Sequence, residues 1–126
     1  MKRNIQFLAI LVLAAFAAAG CGKKADAHKP IEQVQAEAQK MSASDLQSTA
    51  QAYAKEITAK KSELNKVTDE LKKLSPKDLL SEKAKSIKER ISSVSNDAGE
   101  LSKRYEIYAR ELQQKGGDLS KIKIEQ

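Results

Sequence analysis

The stretch Leu71–Leu80 reads LKKLSPKDLL. Ser75 can cap a helix, Pro76 suits a first helical position, and Asp78 complements the dipole of a helix that begins there. The stretch therefore reads as the end of one helix and the start of the next, with almost no loop between them. Upstream, Leu46, Ala50, Tyr53, Ile57, Lys60, Leu64, Val67, Leu71 and Leu74 recur in alternating steps of four and three. That is a heptad stripe with Lys60 as its one polar member. Downstream, Leu80, Ala84, Ile87, Ile91, Val94, Ala98, Leu101, Tyr105, Tyr108 and Leu112 step in the same way. Gly116-Gly117 then offers a C-cap.

Two heptad helices joined by a tight turn fold back on each other. The expected class is all-α: an antiparallel, coiled-coil-like helical hairpin with an additional short N-terminal helix. The expected helices are about 30–41, 45–74 and 77–115, followed by a short tail, 116–126. With the turn centred between Ser75 and Pro76, Leu71 faces Leu80, Ile57 faces Val94 and Tyr53 faces Ala98. Glu63 then flanks Arg90, and Glu70 flanks Lys83. At the first helix of the domain, Pro30 starts an apolar series of Ile31, Val34, Ala38 and Met41. Ser42 and Asp45 have capping-box spacing for the second. The short helix, the tail residues Leu119 and Ile122, and Ile107, Tyr108 and Leu112 all need cover. They are expected to cluster at the end far from the turn.

Composition agrees with thin helices. Of 126 residues, 4% are aromatic, none is Trp, and 32% are charged, which suits a narrow buried stripe better than a thick core. Formal charge is +6. Without residues 1–20, which hold Lys2 and Arg3, 21 basic and 17 acidic residues remain, a net of +4. Such a dispersed surplus fits contact with anionic surfaces and gives no clustered, aromatic-lined nucleic-acid face.

The N-terminus has its own layout. Lys2 and Arg3 precede an uncharged apolar run of thirteen residues, Phe7 to Ala19. A membrane-spanning helix takes about 20. A charged start, a short apolar run and then small residues form a secretory signal peptide, so residues 1–20 are expected to be removed. The run ends in Ala18-Ala19-Gly20-Cys21, and Cys21 is the only cysteine.

Those four residues resemble the lipobox of bacterial lipoproteins, with Ala18 where that family usually has Leu. The resemblance covers about the first 24 residues. It implies that the Cys21 thiol receives a diacylglycerol, that a peptidase cuts before Cys21, and that the new amino group is acylated. Gly22, which is not Asp, then implies delivery to the outer membrane of a diderm bacterium (the cell membrane in a monoderm), facing the periplasm. Residues 21–29 become a lipidated cysteine and a flexible tether. Lys23, Lys24 and Lys29 sit where they could meet anionic headgroups or simply be solvated. Two other readings of the same residues stay open: a secreted protein cut after Ala17-Ala18-Ala19, and an uncleaved membrane anchor.

Residues 30–126 carry no catalytic signature. His28 is the only histidine and lies in the tether, so no Cys/His metal set forms. No glycine-rich phosphate loop occurs. Tyr53, Tyr105 and Tyr108 fall at heptad positions, which assigns them to packing rather than to stacking on a ligand. The expectation is therefore no enzyme, no catalytic or metal-binding residue, and no cofactor beyond the lipid on Cys21. The chain reads as a lipid-anchored structural or protein-interaction element of the cell envelope. The alternatives are a self-assembling coiled-coil scaffold and a module that shields a hydrophobic ligand.

Overall fold

The computed structural model describes residues 24–124. The signal segment 1–20 and Cys21 lie outside the described residues, as do Gly22, Lys23, Glu125 and Gln126. The described chain is all-α, with three helices and no strand: α1 (Ile31–Lys40), α2 (Ala43–Lys72) and α3 (Glu82–Gln114). Single 3₁₀ turns occur at Asp78–Leu80 and Leu119–Lys121.

Local chemistry sets each boundary. α1 starts directly after Pro30, whose carbonyl accepts from Val34 N at 3.0 Å. Ser42 caps α2, its Oγ accepting from Asp45 N at 3.1 Å. α3 ends in a Schellman arrangement: Gly116 takes φ 76°, its N–H donates to Gln113 O, and Gly117 N–H donates to Leu112 O at 2.8 Å. Gly117 must also be small, because a Cβ there would lie 2.0 Å from Leu112 Cδ1.

The connection between α2 and α3 differs from the tight turn expected at Ser75–Pro76. α2 stops at Lys72, and α3 starts at Glu82 rather than near residue 77. The physical reason is that Ser75 and Asp78 bond to each other. Asp78 N donates to Ser75 O at 2.9 Å and Ser75 Oγ donates to Asp78 Oδ2 at 2.6 Å, which closes a turn around Pro76. Ser81 then caps α3, accepting from Ala84 N at 3.3 Å. Leu80, expected in the apolar stripe, is 95% exposed in consequence, and its neighbour Leu79 is 41% exposed.

α2 and α3 lie side by side, and their contacts run in opposite chain order. Arg90 Nη1 meets Glu70 at 3.2 Å, Lys60 meets Asp97 at 3.7 Å, and the rings of Tyr53 and Tyr108 are 5.2 Å apart. Arg90 thus reaches Glu70 rather than Glu63, and Tyr53 meets Tyr108 rather than Ala98. The longer connection shifts the pairing. Lys60, the polar member of the stripe, finds Asp97 and Glu63.

Burial is uneven along the helices. Of the largest fully buried side chains, Leu46, Tyr53, Ile57, Leu101, Tyr108, Leu112 and Val34 lie in the half that holds α1; Val67 alone lies towards the connection. Leu64, Leu71 and Ile91, though in the stripe, are half-buried. Val34 and Ala38 of α1 are fully buried against that core, with Ile107, Leu119 and Ile122 packed in the same cluster. Lys115, just past α3, donates to Gln39 O and Met41 O at 2.7 and 2.6 Å and so satisfies carbonyls at the end of α1.

Candidate functional site

The attachment residue expected from the sequence, Cys21, lies outside the described residues with Gly22 and Lys23, but the segment from Lys24 onward is described. Residues 24–29 are docked onto the helices, where a flexible tether was expected. Ala25 and Ala27 pack partly buried against the core. Tyr53 of α2 engages Asp26 twice: its hydroxyl accepts from Asp26 N at 3.2 Å and donates to Asp26 O at 3.3 Å. Lys24 and Ala25 border a shallow open groove with Ser48, Gln51, Lys55 and Glu56 of α2.

Arg104 of α3 holds the other end of the segment. Its Nε and Nη2 donate to Lys29 O at 2.8 and 2.5 Å, and its Nη1 donates to Glu100 O and Glu100 Oε2, both at 2.8 Å. The residue is 4% exposed. A buried guanidinium with four such bonds is a fixed clamp, because its planar fork matches two acceptors at once. Lys29 Nζ reaches back to Glu37 of α1, and His28 Nε2 stands 3.9 Å from Asp97 Oδ1. Residues 26–29 are thus tied to all three helices.

The charges around this clamp are shifted in line with its contacts. Hydrogen bonds from Lys103 and then Arg104 hold the Glu100 carboxyl down at about 2. Burial pushes Glu37 up, but hydrogen bonds from Lys29 and Gln33 and the charge of Lys29 outweigh it, so its net shift is downward. Burial, with the neighbouring Tyr53 and Glu37, raises the Tyr108 phenol, which stays protonated well above the usual range. These shifts fit a held structure.

Among the described residues, no group of three or more His, Cys, Asp or Glu is placed to hold a metal ion, and no helix is long and apolar enough to cross a membrane. Tyr53 and Tyr108 are buried in the core, and Tyr105 is half-buried beside it. Sequence reasoning missed Arg104. It lies between Leu101 and Tyr108, beside the apolar series, and its partner from outside α3 is Lys29 O. The protein-family models, curated proteins and solved structures compared with this chain give no match.

Proposed function

We propose that this chain is a lipid-anchored protein of the bacterial envelope, acting as a structural or protein-interaction element and not as an enzyme. Diacylglycerol on the Cys21 thiol and an acyl chain on its amino group hold it in the outer membrane, facing the periplasm. No other cofactor takes part. α2 and α3 form its working part, an antiparallel, coiled-coil-like hairpin. The observation that carries the reading is the placement of the only cysteine, directly between the apolar run Phe7–Ala19 and the lysines that follow.

The docked segment makes the anchor mechanically useful. Cys21 and Lys24 are three positions apart, a reach of about 10 Å at full extension. Lys24 borders α2 at Ser48–Glu56. The lipid therefore holds the three-helix half close to the bilayer, and α2 runs on for about 24 Å beyond Glu56. Two or three acyl chains suffice for stable anchoring where one is marginal. The test is the mass of the N-terminal peptide of protein purified from its own membranes. A diacylglyceryl-modified Cys21 with residues 1–20 removed is expected. An unmodified peptide that begins near Gly20 would overturn the anchor.

A second reading, self-association through the two-helix half, is favoured by the half-buried Leu64, Leu71 and Ile91. Burying such a stripe against a second copy would complete a four-helix unit. Sedimentation equilibrium decides it: a single species of monomer mass at every concentration removes this reading.

A further inference from the structure

The connection between α2 and α3 combines two features that nothing inside the molecule explains. Leu80 is 95% exposed and Leu79 is 41% exposed, side by side at the apex. Around them the charge is one-sided. Residues 71–88 hold six lysines against Asp78 and Glu82, a net of +4. Residues 24–124 as a whole hold 20 basic and 16 acidic side chains, also +4. Asp69, Glu70 and Glu89 border this stretch together with Arg90, so residues 69–90 hold seven basic against five acidic side chains, a net of +2, and the excess lies in the lysines nearest the two leucines. Lys72 stands 3.8 Å from Asp69, but among the described residues no carboxylate comes within ion-pair distance of Lys73, Lys77, Lys83, Lys85 or Lys88.

We propose that this apex is a contact site for an anionic lipid surface, with Leu79 and Leu80 entering the headgroup layer and the lysines meeting lipid phosphates. Charge complementarity selects the occupant: lysines near a bilayer surface are drawn to acidic lipids, and apolar side chains between them bury in the acyl boundary. Size favours lipid over an acidic protein: a stable protein interface takes about 20–30 residues a side, and the exposed large hydrophobics here are two adjacent leucines. The site does not depend on the lipid at Cys21, because it lies at the opposite end of α2.

The chain has no Trp, so one introduced Trp reports alone. The full chain carrying Leu80→Trp is mixed with vesicles of phosphatidylcholine, with or without phosphatidylglycerol, and its emission is followed. A blue shift with phosphatidylglycerol vesicles is expected, together with its loss in high salt, as the screening length falls from ~10 Å at 0.1 M to ~3 Å at 1 M. Gln113→Trp, at the far end of α3, is expected to show no shift. The N-terminal apolar run or the lipid enters both kinds of vesicle, so an equal shift with pure phosphatidylcholine, or an equal shift at both positions, would overturn the proposal. So would no shift at all, or a shift with polyglutamate and none with vesicles, which would assign the apex to an acidic protein. Adding Lys77→Glu, Lys83→Glu and Lys85→Glu to Leu80→Trp is expected to abolish the shift with helix content unchanged. A surviving shift would exclude the lysines as the source of attraction.

Discussion

Arg104 joins three parts of the chain that are far apart in sequence: its own helix through Glu100, the entering segment through Lys29 O, and the core in which it is buried. Truncating it strips Lys29 O of its donors and removes a charge-assisted set, at a cost of about 2–3 kcal/mol. Arg104→Ala is expected to lower Tm by roughly 10 °C or more. It should also release residues 24–30 to hydrogen exchange before the rest of the chain. Arg104→Lys restores only part, because a single ammonium cannot copy the fork. Glu100 adds a pH dependence with a definite sign. Its folded value of about 2 lies below the ordinary 4.5, so on acidification the unfolded chain takes up the proton first. The stabilisation is complete above about 4.5 and is lost as pH falls towards 2. Glu37, also shifted down, acts in the same direction. Thermal melts across that window should show Tm falling with pH, and Glu100→Gln should flatten the fall.

At the scale of the element, the connection and α3 separate two kinds of apolar residue that look alike in sequence. Leu80 and Leu101 both sit in the four-three series, yet Leu80 is 95% exposed and Leu101 is 1% exposed. Leu101→Ala should cost about 2–5 kcal/mol, whereas Leu80→Ser should change stability by less than about 0.5 kcal/mol. Equal losses in urea titrations would mean that Leu80 packs as the tight turn at Ser75–Pro76 requires. Gly99 lies inside α3 with nothing within 4 Å of a Cβ built on it. Gly99→Ala should therefore raise stability by about 0.5–1 kcal/mol. The helical stripes were legible because burying one face of a helix forces a fixed spacing on its apolar residues. The position of the connection was not. Ser75, Pro76 and Asp78 can begin a helix or close a turn, and Ser81-Glu82 repeats the same cap signal a few residues on. Nor could the heptads choose the pairing, since a slip by whole heptads still sets apolar stripe against apolar stripe. Arg104 was hidden for a related reason: its hydrogen-bond partner Lys29 O lies 75 positions away, and no local pattern reports it.

For the molecule as a whole, the described chain has two halves of unequal thickness, and this should appear as unequal local stability. In one half α1, residues 24–29 and the tail cover α2 and α3. There Val34, Ala38, Leu46, Ala50 and Leu112 have no exposure. In the other half only two helices meet; Leu64, Leu71 and Ile91 keep partial contact with water, and Ile87 and Val94 are 4% and 6% exposed. Opening free energy rises with the apolar contact that must be broken, so the thin half should open at lower cost and without the thick one. Native-state hydrogen exchange should show amides near 46–57 and 101–112 exchanging only through global unfolding. Amides near 64–72 and 82–94 should exchange earlier, through a local opening whose cost falls towards the connection. An anionic bilayer surface that binds the apex should slow exchange in the thin half and leave the thick half unchanged, because only the state with an ordered apex presents Leu79, Leu80 and the lysines together. Uniform protection along both helices would show instead that the two-helix half is covered in solution, as a second copy packed on Leu64, Leu71 and Ile91 would cover it. In that case protection should fall on dilution, which separates self-association from a single chain that is stable along its whole length.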